Sequence, residues 1–156
     1  MEYISAKEFL KQPVEVQNVF LEWWKPSEGD LVNKVVYIHN MSFNKVGCID
    51  YEWWMDIQGS DNININDPEE VKQFVLDYIG DFPLLTEGQL RKFIEDKYDC
   101  KVMIEYTICE NIVIKLGKIN KVTGSFGFDR KFTCHKNKFD LLRAYWVVAC
   151  EIAKEE

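Results

Sequence analysis

Two stretches of the chain alternate between apolar and polar residues, and the segments around them repeat at helical spacing. From Gly47 the odd positions are Gly47, Ile49, Tyr51, Trp53, Met55 and Ile57, and all but the glycine are large and apolar. The even positions are Cys48, Asp50, Glu52, Trp54 and Asp56. A period of two predicts a half-buried strand with the odd set toward the core. Leu31 to His39 is the expected partner strand, with Asn40 to Asn44 as the hairpin turn. Gly59 to Asn66 reads as a polar loop. The second alternating region, Cys100 to Phe132, predicts an antiparallel meander. Val102, Ile104, Tyr106 and Ile108 alternate on one strand, and Ile112, Ile114 and Leu116 on the next, with Glu110-Asn111 between. Val122 to Phe128 is the expected third strand, where Gly124 and Gly127 mark a bulge or a close backbone approach.

Helix starts are legible from their caps. Ser5 and Glu8 form a capping-box pattern flanked by Ile4 and Phe9 at the staple positions. Pro13 suits the first turn of a second helix, whose apolar face is Val16, Val19, Phe20 and Trp23, and Pro26 and Gly29 end it. Asp67-Pro68-Glu69-Glu70 opens a third helix with a capping acid and a first-turn proline. Its stripe is Val71, Phe74, Val75 and Tyr78, and Gly80 closes it. Thr86 and Gln89 make another capping box, stapled by Leu85 and Leu90, on a helix that buries Leu90, Phe93 and Ile94. A last helix is expected from about Asn137, burying Phe139, Leu142, Tyr145, Trp146, Ala149 and Ile152. Segregated helices and antiparallel strands predict an α+β fold, with an N-terminal hairpin and a C-terminal meander packed against about five helices. At 156 residues the chain reads as one domain, residues 1–156. A core of this size needs no disulfide or metal.

Charge changes the picture in one place. Between Val46 and Val71 there is no lysine or arginine, yet Asp50, Glu52, Asp56, Asp61, Asp67, Glu69 and Glu70 all occur there. Those acids sum to −7, the formal net charge of the whole chain. All other charges cancel, so the acidity is local and able to build a directed field that steers a basic partner. Direct nucleic-acid binding is not expected, because the lysines and arginines from Lys115 to Lys138 are spread thinly along the sequence. The five cysteines lack C-x-x-C spacing. Met1 to Leu10 shows no signal-peptide pattern, and no apolar run spans a bilayer. The expected location is the cytoplasm, with reduced thiols and no membrane contact.

Searches for familiar chemistry come back empty. No phosphate-loop, dinucleotide-binding or nucleophile-elbow motif occurs. His39 and His135 are the only histidines. Cys134 and His135 are neighbours on a strand and point to opposite faces, which defeats both a zinc site and a thiol–base pair. The segment Asp56 to Asp67 fails the EF-hand pattern, since Ile63 falls where a ligand is needed. Gly124-Ser125-Phe126-Gly127 is better explained by a sheet meander than by a phosphate site. No catalytic residue, metal or cofactor is therefore expected. The candidate partner-binding residues are Asp50, Glu52, Trp54, Asp56 and Asp61, a tryptophan ringed by acids as in binding hot spots. Two alternatives stand beside this reading. One is a small-ligand module with a pocket between sheet and helices, lined by Tyr106, Phe126 and Phe128. The other is an enzyme of unrecognised type. The oligomeric state is left open.

Three stretches carry a family likeness. They are Ser5 to Leu10 running on to Trp23-Trp24-Lys25-Pro26-Ser27-Glu28-Gly29-Asp30-Leu31, then Pro83 to Glu95, then Asp140-Leu141-Leu142-Arg143-Ala144-Tyr145-Trp146 to the C-terminal Glu. The chain resembles small accessory proteins encoded by phages and prophages of clostridia and related Firmicutes. The likeness covers the two ends and the middle helix, carries no catalytic motif, and leaves out the acidic stretch Val46 to Asn66. It implies a phage protein of a size that often antagonises host defence, anti-CRISPR proteins included. Many such inhibitors are acidic and block a nucleic-acid-binding surface by imitating its ligand's charge. By that analogy the expected partner is a host protein with a basic surface.

Overall fold

The computed structural model describes residues 2–38, 41–50, 63–64, 67–79, 83–109, 111–135 and 140–156. In chain order the elements are α1 (Ala6–Phe9), α2 (Val14–Trp23), β1 (Leu31–Ile38), β2 (Met41–Cys48), α3 (Pro68–Ile79), α4 (Glu87–Tyr98), β3 (Lys101–Tyr106), β4 (Asn111–Ile119), β5 (Phe126–His135) and α5 (Leu141–Ala153). The strands form an antiparallel hairpin, β1-β2, and a separate antiparallel meander, β3-β4-β5. This is the α+β class the patterning predicts. None of the described helices is long and apolar enough to cross a membrane.

The caps form largely as read. Thr86 Oγ1 accepts from the Gln89 amide and Gln89 Oε1 accepts from the Thr86 amide, closing a full capping box on α4. The staple residues Leu85 and Leu90 are both wholly buried. Ser5 Oγ accepts from the Glu8 amide, but the helix it starts has only four residues. Asp67 Oδ1 accepts from the Glu69 amide at 2.9 Å and opens α3. α5 begins at Asp140, whose carboxylate accepts from the Arg143 amide at 2.8 Å, a few residues later than the sequence suggests.

The main core lies between the meander and α2, α4 and α5. Val102, Ile112, Ile114, Leu116 and Cys134 point inward from the sheet. Against them pack Leu90, Phe93 and Ile94 of α4 and Leu142, Tyr145, Trp146, Ala149 and Ile152 of α5. α5 also buries Ala144, Val148, Cys150 and Ala153, so it is covered on most of its circumference. Phe20 of α2 stacks on Trp146 with centroids 5.2 Å apart and lies 4.4 Å from Phe93. Contacts of this density make the helical layer rigid.

Three expectations are corrected. Asn40 to Asn44 is not the hairpin turn, because β2 already starts at Met41 and pairs Ile38↔Met41 through Leu31↔Cys48. The partner of β1 is therefore Met41–Cys48, and the alternating segment continues beyond it. The third meander strand is Phe126–His135, not Val122 to Phe128. Val122 and Thr123 lie in a turn closed by Asn120 Oδ1, which accepts from both their amides. Finally, the close backbone approach joins Gly117 to the Gly127 backbone, and Gly124 takes no part in it. A methyl group at Gly117 would fall against the Gly127 carbonyl oxygen and 2.5 Å from the Phe128 Cα. Expectations on Tyr51, Trp53, Met55, Ile57, Gly80, Asn137 and Phe139 lie outside the described residues.

Candidate functional site

A second, smaller cluster holds the ends of the acidic run. Trp24, Val32, Ile49 and Val71 are buried together, and Ile63, Phe74 and Leu76 pack against them. Ile49, Ile63 and Val71 come from the start, middle and end of the segment that carries the excess charge. They meet in one place because burying an apolar side chain together with others removes it from water. The acidic run is thus an excursion whose two ends and centre return to the same anchor.

The anchor itself hangs on Asp30. Its Oδ2 accepts from Trp24 Nε1 at 2.9 Å and from the Ser27 amide at 3.1 Å, and its Oδ1 accepts from Gln89 Nε2 at 2.8 Å. Gln89 is also the capping-box residue of α4, so the knot ties the second cluster to the main helical layer. Burial raises the Asp30 carboxyl above its ordinary value, opposed by the Trp24 and Ser27 hydrogen bonds. The Asp30 carbonyl accepts from the Ile49 amide at 2.9 Å, and the Ile49 carbonyl accepts from the Gly29 amide at 2.7 Å. Gly29 has φ 91°, a conformation glycine adopts without strain. These bonds fix the backbone immediately before Asp50, which is exposed.

Of the five candidate partner-binding residues, Asp50 is described, and Glu52, Trp54, Asp56 and Asp61 lie outside the described residues. At the far end of the excursion Glu69 and Glu70 are exposed on the first turn of α3. Lys72, the first cation after the run, is buried and paired to Glu69. Glu70 Oε2 accepts from the Asn64 amide at 2.8 Å, which straps the loop before α3 to that helix.

Tyr106, Phe126 and Phe128 are not brought together. Residues paired across an antiparallel ladder point to the same face. Tyr106 pairs with Ile112, on the helix-facing row, but stands at the strand end and is 62% exposed. Phe128 pairs with Gly117 and Phe126 with Ile119, on the opposite, outer face. No pocket between sheet and helices is lined by all three. The reason is a β-bulge: Leu116 pairs with Arg130 but Gly117 pairs with Phe128, leaving Asp129 as the extra residue. The bulge inverts the alternation that Arg130, Phe132 and Cys134 would otherwise impose on Phe128 and Phe126. Nothing in the local sequence announces it except Gly117, a residue without a side chain in the middle strand of the meander.

Cys134 is buried and His135 exposed, on opposite faces as their adjacency requires, and His135 Nδ1 lies 2.9 Å from Asn111 Oδ1. Burial raises the thiols of Cys100 and Cys134, and pushes Cys150 up to about 12. Among the described residues no three His, Cys, Asp or Glu side chains are grouped to hold a metal ion. Among the described residues the buried Tyr145 hydroxyl has no hydrogen-bond partner, and burial pushes its pKa to about 12. It lies inside the packed core and forms no site. The chain matches no protein-family model, and no curated protein or solved structure is similar to it.

Proposed function

We propose that this is a non-enzymatic binding protein of phage origin that presents its acidic excursion to a basic, nucleic-acid-binding surface of a host protein, in the manner of an inhibitor of host defence. One observation carries the reading. The segment holding the whole net charge of −7 returns at both ends and its centre to a single small cluster. Of its acids, Asp50 is exposed beside the buried Ile49, and Glu69 and Glu70 are exposed just before the buried Val71. Charge confined this way builds a field that attracts a basic partner and discriminates against acidic ones. The resemblance to phage accessory proteins supplies the biological setting, and the partner's class follows from charge complementarity.

The test is capture of host proteins on the immobilised chain, followed by elution with rising salt. A nucleic-acid-binding protein that elutes steeply with salt, and whose nucleic acid competes with the chain, is the expected result. Reversing charge at Glu52 and Asp56 to Lys should slow association, while Trp54→Ala should speed dissociation. Binding indifferent to salt and to these changes would overturn the proposal.

A further inference from the structure

The outer face of the meander carries features that neither core requires. The bulge at Asp129 moves Phe126 and Phe128 out of the helix-facing row onto this face, where Phe128 is 53% exposed. Gly117 makes the bulge possible by leaving room for the β5 backbone. Beside the two rings stand Ile119, 54% exposed, and Met103, 42% exposed. Exposing this much apolar surface at the end of a well-packed sheet runs against the hydrophobic effect, and such patches mark contact sites.

The polar residues of the same face identify the contact. Lys115 and Lys131 are directly paired across β4 and β5, an arrangement that like charges disfavour. Lys115 is drawn off by Glu105 on one side and lies 5.2 Å over the Phe128 ring on the other. Lys101 lies one row further along, in register with Gly117. From Lys101 to His135 six lysines and arginines stand against three acids, in a chain of net charge −7. The lysines look scattered in sequence because the strands are long. The register places three of them, Lys101, Lys115 and Lys131, on this face, with Lys101 paired to Glu95 and Lys115 to Glu105.

We propose that this face binds single-stranded nucleic acid, with bases stacking on Phe126 and Phe128 and phosphates meeting Lys115 and Lys131. Two aromatic rings two residues apart on one strand stand roughly 7 Å apart, within reach of neighbouring unstacked bases. Exposed rings flanked by cations are the ordinary platform for single strands. An acidic protein would use the lysines but not two flat rings. A duplex keeps its bases stacked on each other, so it offers nothing to the rings.

The experiment is fluorescence anisotropy of labelled oligo-uridine and oligo-thymidine with the full chain at low salt, with a duplex of equal length and poly-glutamate as competitors. Single strands should bind, the duplex at least tenfold more weakly, and poly-glutamate should displace them poorly. Phe126→Ala and Phe128→Ala should each lower affinity about tenfold, and Phe128→Tyr should restore it. Lys115→Ala with Lys131→Ala should weaken binding and flatten its salt dependence by about 1.4 in the log–log slope. Thermal melts of each variant verify folding, and the exposed position of Phe128 keeps that control informative. Absence of binding, indifference to the phenylalanine changes, equal binding of duplex, or displacement by poly-glutamate would each overturn the proposal. Every variant lies outside the acidic run, so these outcomes leave the reading of that run untouched.

Discussion

The cluster beneath the meander and the cluster beneath the acidic run use the same kinds of side chain but are tied in different ways. In the first, residues from α1, α2, α4, α5 and all three strands of the meander interlock, with Phe9, Phe20, Phe93, Tyr145 and Trp146 at the centre. In the second, four buried residues meet among the described residues, and a carboxylate with three N–H donors holds them to the rest. The first is secured by volume. The second is secured by a few directional bonds around one titratable group. Elements with few buried contacts open more readily than the global fold. Ile49 and Val71, which flank the acidic run, belong to the second.

Phe93→Ala is the strongest test of this contrast. Phe93 is wholly buried between Phe20 and Trp23, so truncation should cost roughly 3–5 kcal/mol and lower one cooperative melt. A loss under about 1 kcal/mol would show that the main core is not the dominant one. Gly117→Ala comes next. The added methyl meets β5 backbone and not a movable side chain, so about 3 kcal/mol should be lost, and the bulge with it. Near-normal stability would mean the strands do not cross there as described.

Asp30→Asn tests the weaker cluster. One oxygen and its donors are exchanged for an amide that cannot satisfy all three N–H groups, at a cost of about 1–3 kcal/mol. Hydrogen exchange should quicken around Ile49 and Val71 while the α5 amides keep their protection. Uniform loss across both clusters would erase the distinction between them. The pH dependence has opposite signs in the two regions. Asp30 is raised when folded, so its contribution is full below the unfolded value of 3.8 and fades as pH rises through the folded value. Asp96 is held low by the Lys92 hydrogen bond, with Trp23 adding to it. Burial pushes Glu95 up, but hydrogen bonds from Lys101, the Val102 amide and Arg91 outweigh it and hold it low. Their stabilisation is present above the unfolded values of 3.8 and 4.5 and is lost as pH falls. Melts in acid should therefore fall with pH in the parent chain and flatten in Glu95→Gln, whereas Asp30→Asn should leave that acid-side fall in place.

The smallest expected effect concerns Tyr145. Its hydroxyl is buried without a partner among the described residues, so Tyr145→Phe should be neutral or stabilising by about 1 kcal/mol. A destabilised variant would show that the hydroxyl is satisfied after all. Thiol labelling gives an independent check of the same core. Cys48 and Cys109 are exposed and should react at once, whereas Cys100, Cys134 and Cys150 should react only on unfolding.

Much of this fold is written locally. The Thr86–Gln89 box, the Asp67 cap and the apolar faces of α4 and α5 follow from residues within one or two turns, because capping and amphipathic burial are short-range. The Cys134–His135 geometry follows from the period of a strand alone. The hairpin turn differs from the expectation because Asn40 and Asn44 are turn-favouring residue types, while Met41-Ser42-Phe43-Asn44 alternates and joins β2 by pairing with β1. Strand β5 was cut short for a similar reason. Its bulge resets the alternation, and a residue count cannot show where that happens.

The sequence by itself determined the class of the fold, most helix starts and the position of the charge along the chain, since each depends on neighbours in sequence. Only the tertiary structure decided which face Phe126 and Phe128 occupy, and that Lys115 and Lys131 stand side by side. It also decided that Ile49, Ile63 and Val71 share one anchor with Trp24. Those facts depend on strand register and on contacts between distant segments. A single extra residue opposite Gly117 is enough to turn a face over, and no local propensity encodes it.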